Sequence, residues 1–136
     1  MSYKKSDVKS VLLAVDNLAY RDMISGILQS KGYRVIKANN LLSVIESLEN
    51  YQIHLLISEV ELPEISMINF LPFLRKRYPD LKVIITMKDY SPETELSLRP
   101  YKILYVFTWP IEIEILKSVV EKGLKIQNEE IVSLFR

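Results

Sequence analysis

The chain has no cysteine, so disulfides, thiolate metal sites and cysteine nucleophiles are excluded. It has one histidine, His54, at the start of a strand and with no second metal ligand at useful spacing. His54 therefore reads as a packed side chain, and no metal site is expected. Charge of one sign is also lacking. Formal net charge is +1 with no long run of like charges, which removes the electrostatic argument for nucleic acid or an acidic surface as partner. No apolar run approaches the roughly 18 residues that span a bilayer. Met1 to Ser10 is polar and lysine-bearing, without the apolar centre of a signal peptide. A soluble, cytoplasmic domain with no membrane partner is expected. No glycine-rich phosphate loop follows the first apolar run, because Asp16-Asn17-Leu18-Ala19 offers no glycine for close backbone approach. No nucleophile–base pair or cofactor fingerprint appears either. The chain does not read as an enzyme, and no cofactor is expected.

What is present is one domain's worth of chain with a regular alternation of patterns. At 136 residues it is long enough to bury a single core. Val11 to Val15 is a continuous apolar run ending in Asp16-Asn17, the mark of a strand buried on both faces. Leu18 to Lys31 changes to helical spacing, with Met23, Ile24, Ile27 and Leu28 recurring, and Gly32 follows as a helix stop. Tyr33 to Ala38 reads as a strand. Asn40 caps a helix over 41–50 whose buried stripe is expected to be Leu42, Val44, Ile45 and Leu48. Ile53 to Glu59 is the third strand and ends abruptly on a carboxylate, with a turn at Pro63.

Ser66 caps a third helix to about Tyr78, with Pro72 inside it removing one backbone bond and expected to bend its first turns. Val83 to Met87 is the fourth strand. Ser91-Pro92-Glu93 opens a short helix that Pro100 stops. Ile103 to Phe107 is the fifth strand. From about Ile111 a last helix carries Ile115, Leu116, Val119, Val120 and Leu124. Parallel strands need such crossovers, and right-handed ones place helices on both faces. The expectation is an α/β, doubly wound, five-stranded parallel sheet of order 2-1-3-4-5, the flavodoxin-like order. The domain is expected over 1–127. Residues 128–136 are expected to form a helical extension or a truncated linker, since Ile131, Leu134 and Phe135 continue an amphipathic stripe that invites a partner such as a second copy.

Over about Lys9 to Lys125 the chain resembles the receiver domain of two-component response regulators, the CheY-like family. Val11 to Asn17 is similar to the family's first strand and acidic pair. Ser30-Lys31-Gly32-Tyr33-Arg34-Val35 is similar to its first helix end and second strand. Leu55 to Pro63 resembles the strand, phosphoacceptor and proline loop, and Phe107-Thr108-Trp109-Pro110 resembles the lysine–proline turn. The resemblance implies a signalling module in which an acidic pair holds Mg²⁺, an aspartate takes a phosphoryl group, and a hydroxyl and a lysine contact it. The cation offsets phosphate charge, the carboxylate attacks phosphorus and the ammonium stabilises the equatorial oxygens.

Carried across residue by residue, little of that kit remains. Asp16 matches the first acid, but Asn17 stands at the second, leaving Asp16 a vestigial ligand and Mg²⁺ binding doubtful. Glu59 stands at the phosphoacceptor, its carboxylate displaced by one carbon–carbon bond, about 1.5 Å. A misplacement of about 1 Å costs on the order of 10²-fold in rate. Counting back from Trp109 puts the hydroxyl position on Met87, and a shift of one residue puts it on Thr86. Lys88 follows, where the family is small. Trp109 replaces the lysine and Met67 the helix-opening glycine.

The expected function is that of a pseudo-receiver, an interaction module of a phosphorelay-type system that works without phosphorylation. Two alternatives stand beside it: a phosphorylatable receiver with an unorthodox site, and a small-molecule sensor with a pocket near Trp109 and Met87. Glu59 reads either as an imitation of a phosphorylated aspartate or as a solvated strand-end carboxylate, and Lys88 stands within reach of a salt bridge to it. Trp109 reads as a lid, as a partner anchor or as a ring packed beside Pro110. Met23 and Met87 read as core filler. In the family the fourth helix, fifth strand and fifth helix carry docking. Tyr101 and Tyr105, with Trp109, are therefore the docking candidates for a signalling protein or a second copy in a homodimer.

Overall fold

The computed structural model of the chain describes residues 8–125. The extension expected over 128–136 lies outside them. Five parallel strands form the central sheet: β1 (Ser10–Ala14), β2 (Arg34–Ala38), β3 (Leu55–Glu59), β6 (Lys82–Met87) and β7 (Tyr105–Thr108). A two-stranded antiparallel hairpin, β4 (Glu61–Leu62) and β5 (Ile65–Ser66), follows β3. The helices are α1 (Leu18–Ser30), α2 (Leu41–Asn50), α3 (Met67–Arg77), α4 (Pro92–Leu98) and α5 (Ile113–Lys125), and a 3₁₀ turn at Arg99–Tyr101 follows α4.

The sheet order is β2-β1-β3-β6-β7. With the hairpin set aside, this is the 2-1-3-4-5 order expected from the sequence. The hairpin itself went unforeseen. Two-residue strands leave no periodicity to detect, and only the turn at Pro63 was visible.

Alternation along the strands divides the core in two. Leu12, Leu56, Val83, Ile85 and Met87 face α2, α3 and α4, where they meet Val44, Leu48, Phe70, Leu71 and Leu74. Val11, Leu13, Leu55, Ile57, Ile84 and Phe107 face α1 and α5, where they meet Ile24, Leu28, Leu116, Val119 and Val120. Every residue of β1 is buried, as a strand covered on both faces must be.

The caps lie where the sequence places them. Asn40 accepts from the Ser43 N–H and completes a capping box, while Ser66 and Ser91 accept from Ile68 and Thr94. Three expected core residues are displaced. Leu42 is 64% exposed, because the Asn40 cap sets a phase in which Leu41, Val44, Ile45 and Leu48 meet the sheet. Met23 precedes the buried Ile24 by one residue and Ile115 precedes Leu116 by one. Each is turned about 100° from its neighbour and is exposed. Met87 is core, as expected. α3 runs through the exposed Pro72 to Arg77.

Arg75, a residue the sequence did not single out, ties the lower part of the molecule together. Its Nε donates to the Tyr101 carbonyl at 2.7 Å, Nη2 to Lys102 at 3.2 Å, and Nη1 to the carbonyls of Tyr78 and Leu81. Burial lowers its pKa from the ordinary arginine value. Lys102 is the one non-glycine residue with a positive φ among those described (57°), so Arg75 braces the turn that leads into β7.

Candidate functional site

The residues singled out by sequence gather at the carboxyl edge of the sheet, where β1, β3, β6 and β7 end. This is the edge at which open parallel sheets place their functional groups. Glu59 closes β3 and is paired in register with Thr86, which is paired in turn with Phe107. Glu59 lies two residues beyond Ile57, and Thr86 two beyond Ile84, so both belong to the α1/α5 face.

That geometry separates the two candidates for the hydroxyl position. Met87 turns its side chain into the opposite core layer. Thr86, 1% exposed, stands on the same rung and face as Glu59, and its hydroxyl finds no hydrogen-bond partner among the described residues. Counting from Trp109 had pointed to Met87. The turn after β7 is tied to this strand by a backbone bond, Trp109 N–H to the Met87 carbonyl at 2.9 Å.

Glu59 is held from the neighbouring strand. The Asp16 N–H donates to its Oε2 at 3.1 Å. Its pKa is raised from the ordinary glutamate value, first by burial and then by the Asp16 charge. The Asp16 N–H and the Lys88 ammonium oppose that rise. The anticipated Glu59–Lys88 salt bridge is not among the ion pairs within 4.0 Å of the described residues. Lys88 is exposed, and its charge acts on Glu59 only through space.

Asn17, at the second acidic position, serves as the N-cap of α1, its Oδ1 accepting from the Tyr20 N–H at 3.0 Å. Asp16 is exposed beside it. Among the described residues, no group of three or more His, Cys, Asp or Glu side chains comes together to hold a metal.

Trp109 lies half-buried and stacks on Tyr20, ring centroids 3.8 Å apart and planes 10° from parallel. This contact joins Trp109 to α1. The indole Nε1 is buried and finds no acceptor among the described residues, and the same is true of Arg21 Nε on α1. Arg21 Nη1 lies 3.5 Å from the Val15 carbonyl. Tyr20 and Arg21 were not picked out by sequence. They lie at the start of α1, just beyond the end of β1, which brings them to this edge.

Met67 is wholly buried at the start of α3, and its N–H donates to the Val60 carbonyl at 2.7 Å. The hairpin thus forms without a glycine there. The docking candidates Tyr101 and Tyr105 are half-buried against opposite core layers, Tyr105 with its ring 4.5 Å from that of Phe107. His54 lies at the other end of β3. Its Nδ1 accepts from the Ser10 N–H at 2.9 Å while its own N–H donates to the Ser10 carbonyl.

A doubly wound α/β domain with an acidic residue closing its third parallel strand defines the class. Within it, the family model of the response regulator receiver domain matches residues 11–121, and the chain belongs to that family, the receiver module of two-component signalling. Among proteins of known identity it is similar to the CAI-1 autoinducer sensor kinase/phosphatase CqsS of Vibrio cholerae. That match is 26% identical over 94 residues, covering 67% of this chain and 14% of that protein. It is similar also to the DNA-binding transcriptional regulator NtrC of Azospirillum brasilense, 24% identical over 115 residues, covering 85% of this chain and 24% of that protein. The chain therefore spans less than a third of either relative. Among solved structures, the CheY-like receiver domain protein of Methanospirillum hungatei JF-1 superposes with a TM-score of 0.83 at 23% identity, covering 90% of this chain and 98% of that one. Among the described residues no helix is long and apolar enough to cross a membrane.

Proposed function

We propose that this receiver domain acts as a phosphorylation-independent interaction module, docking a signalling protein or a second copy of itself, and that it does not use Mg²⁺. The observation that carries the reading is the Tyr20–Trp109 stack. Where the resemblance calls for a lysine ammonium against phosphoryl oxygens, a stacked indole offers no positive charge. Two further arrangements support it. The Asn17 amide oxygen accepts from the Tyr20 N–H in capping α1, and Asp16 and Glu59 are the carboxylates left for a hard cation at this edge. Glu59 already receives the Asp16 N–H on one oxygen.

The docking face proposed is that of α4, β7 and α5. There Leu96 is 61% exposed, and Tyr101 and Tyr105 present partly exposed rings on either side of the edge strand β7. Aromatic rings of this kind are common anchors of protein interfaces.

The test follows Trp109 fluorescence while Mg²⁺ and then beryllofluoride, a phosphoryl mimic, are added, with intact mass measured after incubation with acetyl phosphate. No saturable change and no added mass are expected. A change that requires both additions and disappears in Glu59→Ala overturns the reading. A second reading, an unorthodox but phosphorylatable receiver, is favoured by one observation, the buried Thr86 hydroxyl on the Glu59 rung, which has no partner among the described residues.

A further inference from the structure

At the opposite end of the sheet from Glu59 lies an open cleft of about 450 Å³. It is bounded by the start of β1, the α2–β3 loop, the α3–β6 loop and Leu124 of α5. We propose that this cleft binds a small phosphate-bearing ligand, held by Lys9, Lys82, Arg77 and the His54 imidazole. The volume lies within the range of small-molecule sites, roughly 300–1,000 Å³.

Three cations, Lys9, Arg77 and Lys82, line the cleft against one carboxylate, Asp80. None of the three takes part in an ion pair found among the described residues. Arg77 has an ordinary reason to be there, since it lies in the last turn of α3, where a cation complements the helix dipole. Lys9 and Lys82 have no such reason. Both stand at strand starts, both are half-buried, and the Lys9 ammonium raises the cost of charging Lys82.

The pKa of Lys82 is lowered first by burial and then by Lys9, with Asp80 opposing. That of His54 is lowered first by burial and then by Lys9 and Lys82. An anion with two charges seated between these groups relieves the repulsion and accepts from their donors. Because His54 Nδ1 accepts from Ser10, its proton sits on Nε2, which makes the imidazole a neutral donor at the cleft wall. Lysine, arginine and an imidazole N–H lining one cleft are the chemistry of phosphate recognition. Tyr51 and Tyr78 supply apolar walls, the latter with Arg77 5.2 Å above its ring, so an organic phosphate carrying a ring finds contact beyond its charge.

Calorimetric titration of the full chain with pyrophosphate, and separately with ADP, tests this. Saturable one-to-one binding that weakens with salt is expected, reduced about tenfold or more in the Lys9→Ala/Lys82→Ala double variant. Glu59→Gln is expected to bind as the parent does, so the outcome is independent of the function proposed for the other edge. Tighter binding of ADP assigns the site to an organic phosphate, and equal binding to the phosphate group alone. No heat with either probe overturns the proposal, as does binding that the double variant leaves unchanged or that Glu59→Gln abolishes. If the double variant fails to fold, the His54 ring signals of the parent decide by NMR. They shift on titration with pyrophosphate if the cleft is the site, and an unmoved spectrum refutes it.

Discussion

The backbone N–H of Asp16 donates to Oε2 of Glu59 at 3.1 Å, so the carboxylate that ends β3 is held by the residue that follows β1. The bond favours the charged carboxylate, yet the pKa of Glu59 is raised, because burial outweighs it. In the folded state the neutral form is therefore favoured relative to the unfolded chain. The stability this contributes is fully present below the ordinary glutamate range and is lost as pH rises through the elevated value. Glu59→Gln keeps an acceptor for Asp16 and removes the cost of the charge. At neutral pH the variant is expected to be more stable than the parent by less than about 1 kcal/mol, since the group is partly solvated. The gap closes as pH falls. Urea midpoints measured across that range check it, and a less stable variant at neutral pH counts against this account.

Lys88 acts on the same carboxylate from a distance. Its charge lowers the Glu59 pKa without a direct ion pair. In Lys88→Ala the Glu59 titration, followed by carboxyl ¹³C shifts, is expected to move further upward. An unchanged titration means that the two groups do not interact.

Thr86 buries a hydroxyl that no described residue satisfies. An unpaired buried hydroxyl costs about 1–3 kcal/mol by mutational measures. Thr86→Val preserves the shape and removes that cost, and is expected to leave stability unchanged or to raise it by up to about 1 kcal/mol. A clear loss of stability in chemical denaturation reveals a hydrogen bond to solvent or to a ligand at this rung.

The Tyr20–Trp109 stack is the contact that pins the β7 turn to α1. Stacked pairs contribute about 0.5–1.5 kcal/mol beyond their buried area. Tyr20→Leu is expected to lose about that much and to shift the tryptophan emission to longer wavelength as the indole gains water. Emission identical to that of the parent shows that Trp109 is shielded by other groups.

Arg75 makes four hydrogen bonds to main-chain carbonyls from α3 to the turn before β7. Bonds from a charged donor contribute about 1.5–3 kcal/mol, and the carbonyls left behind gain partners only from water. Arg75→Met is expected to cost about 2–3 kcal/mol by urea denaturation and to increase amide exchange at Lys102 and Ile103. A loss under about 0.5 kcal/mol shows that water replaces the guanidinium without penalty.

Sequence alone determined the architecture, because the signals for it are local and repeated. Apolar runs such as Val11–Val15 and Leu55–Ile57, capping residues at Asn40, Ser66 and Ser91, and five strand–helix alternations leave one right-handed, doubly wound arrangement. It also placed Asp16, Asn17, Glu59 and Trp109 at one edge, since strand ends are legible where apolar runs stop.

Tertiary structure alone decided what those residues touch. Strand register chose Thr86 over Met87 on the Glu59 rung, and a one-residue difference reverses the face of the sheet. Helix packing brought Tyr20 onto Trp109 and Arg75 under the turn before β7, contacts between residues far apart in the chain. Helix phase exposed Leu42 and Met23, which periodicity alone had set in the core. The cleft between Lys9 and Lys82 arises in the same way, from strand starts that meet only when the sheet is assembled. Pattern along a chain records which face a residue takes, but the distance between side chains is a property of the packed whole.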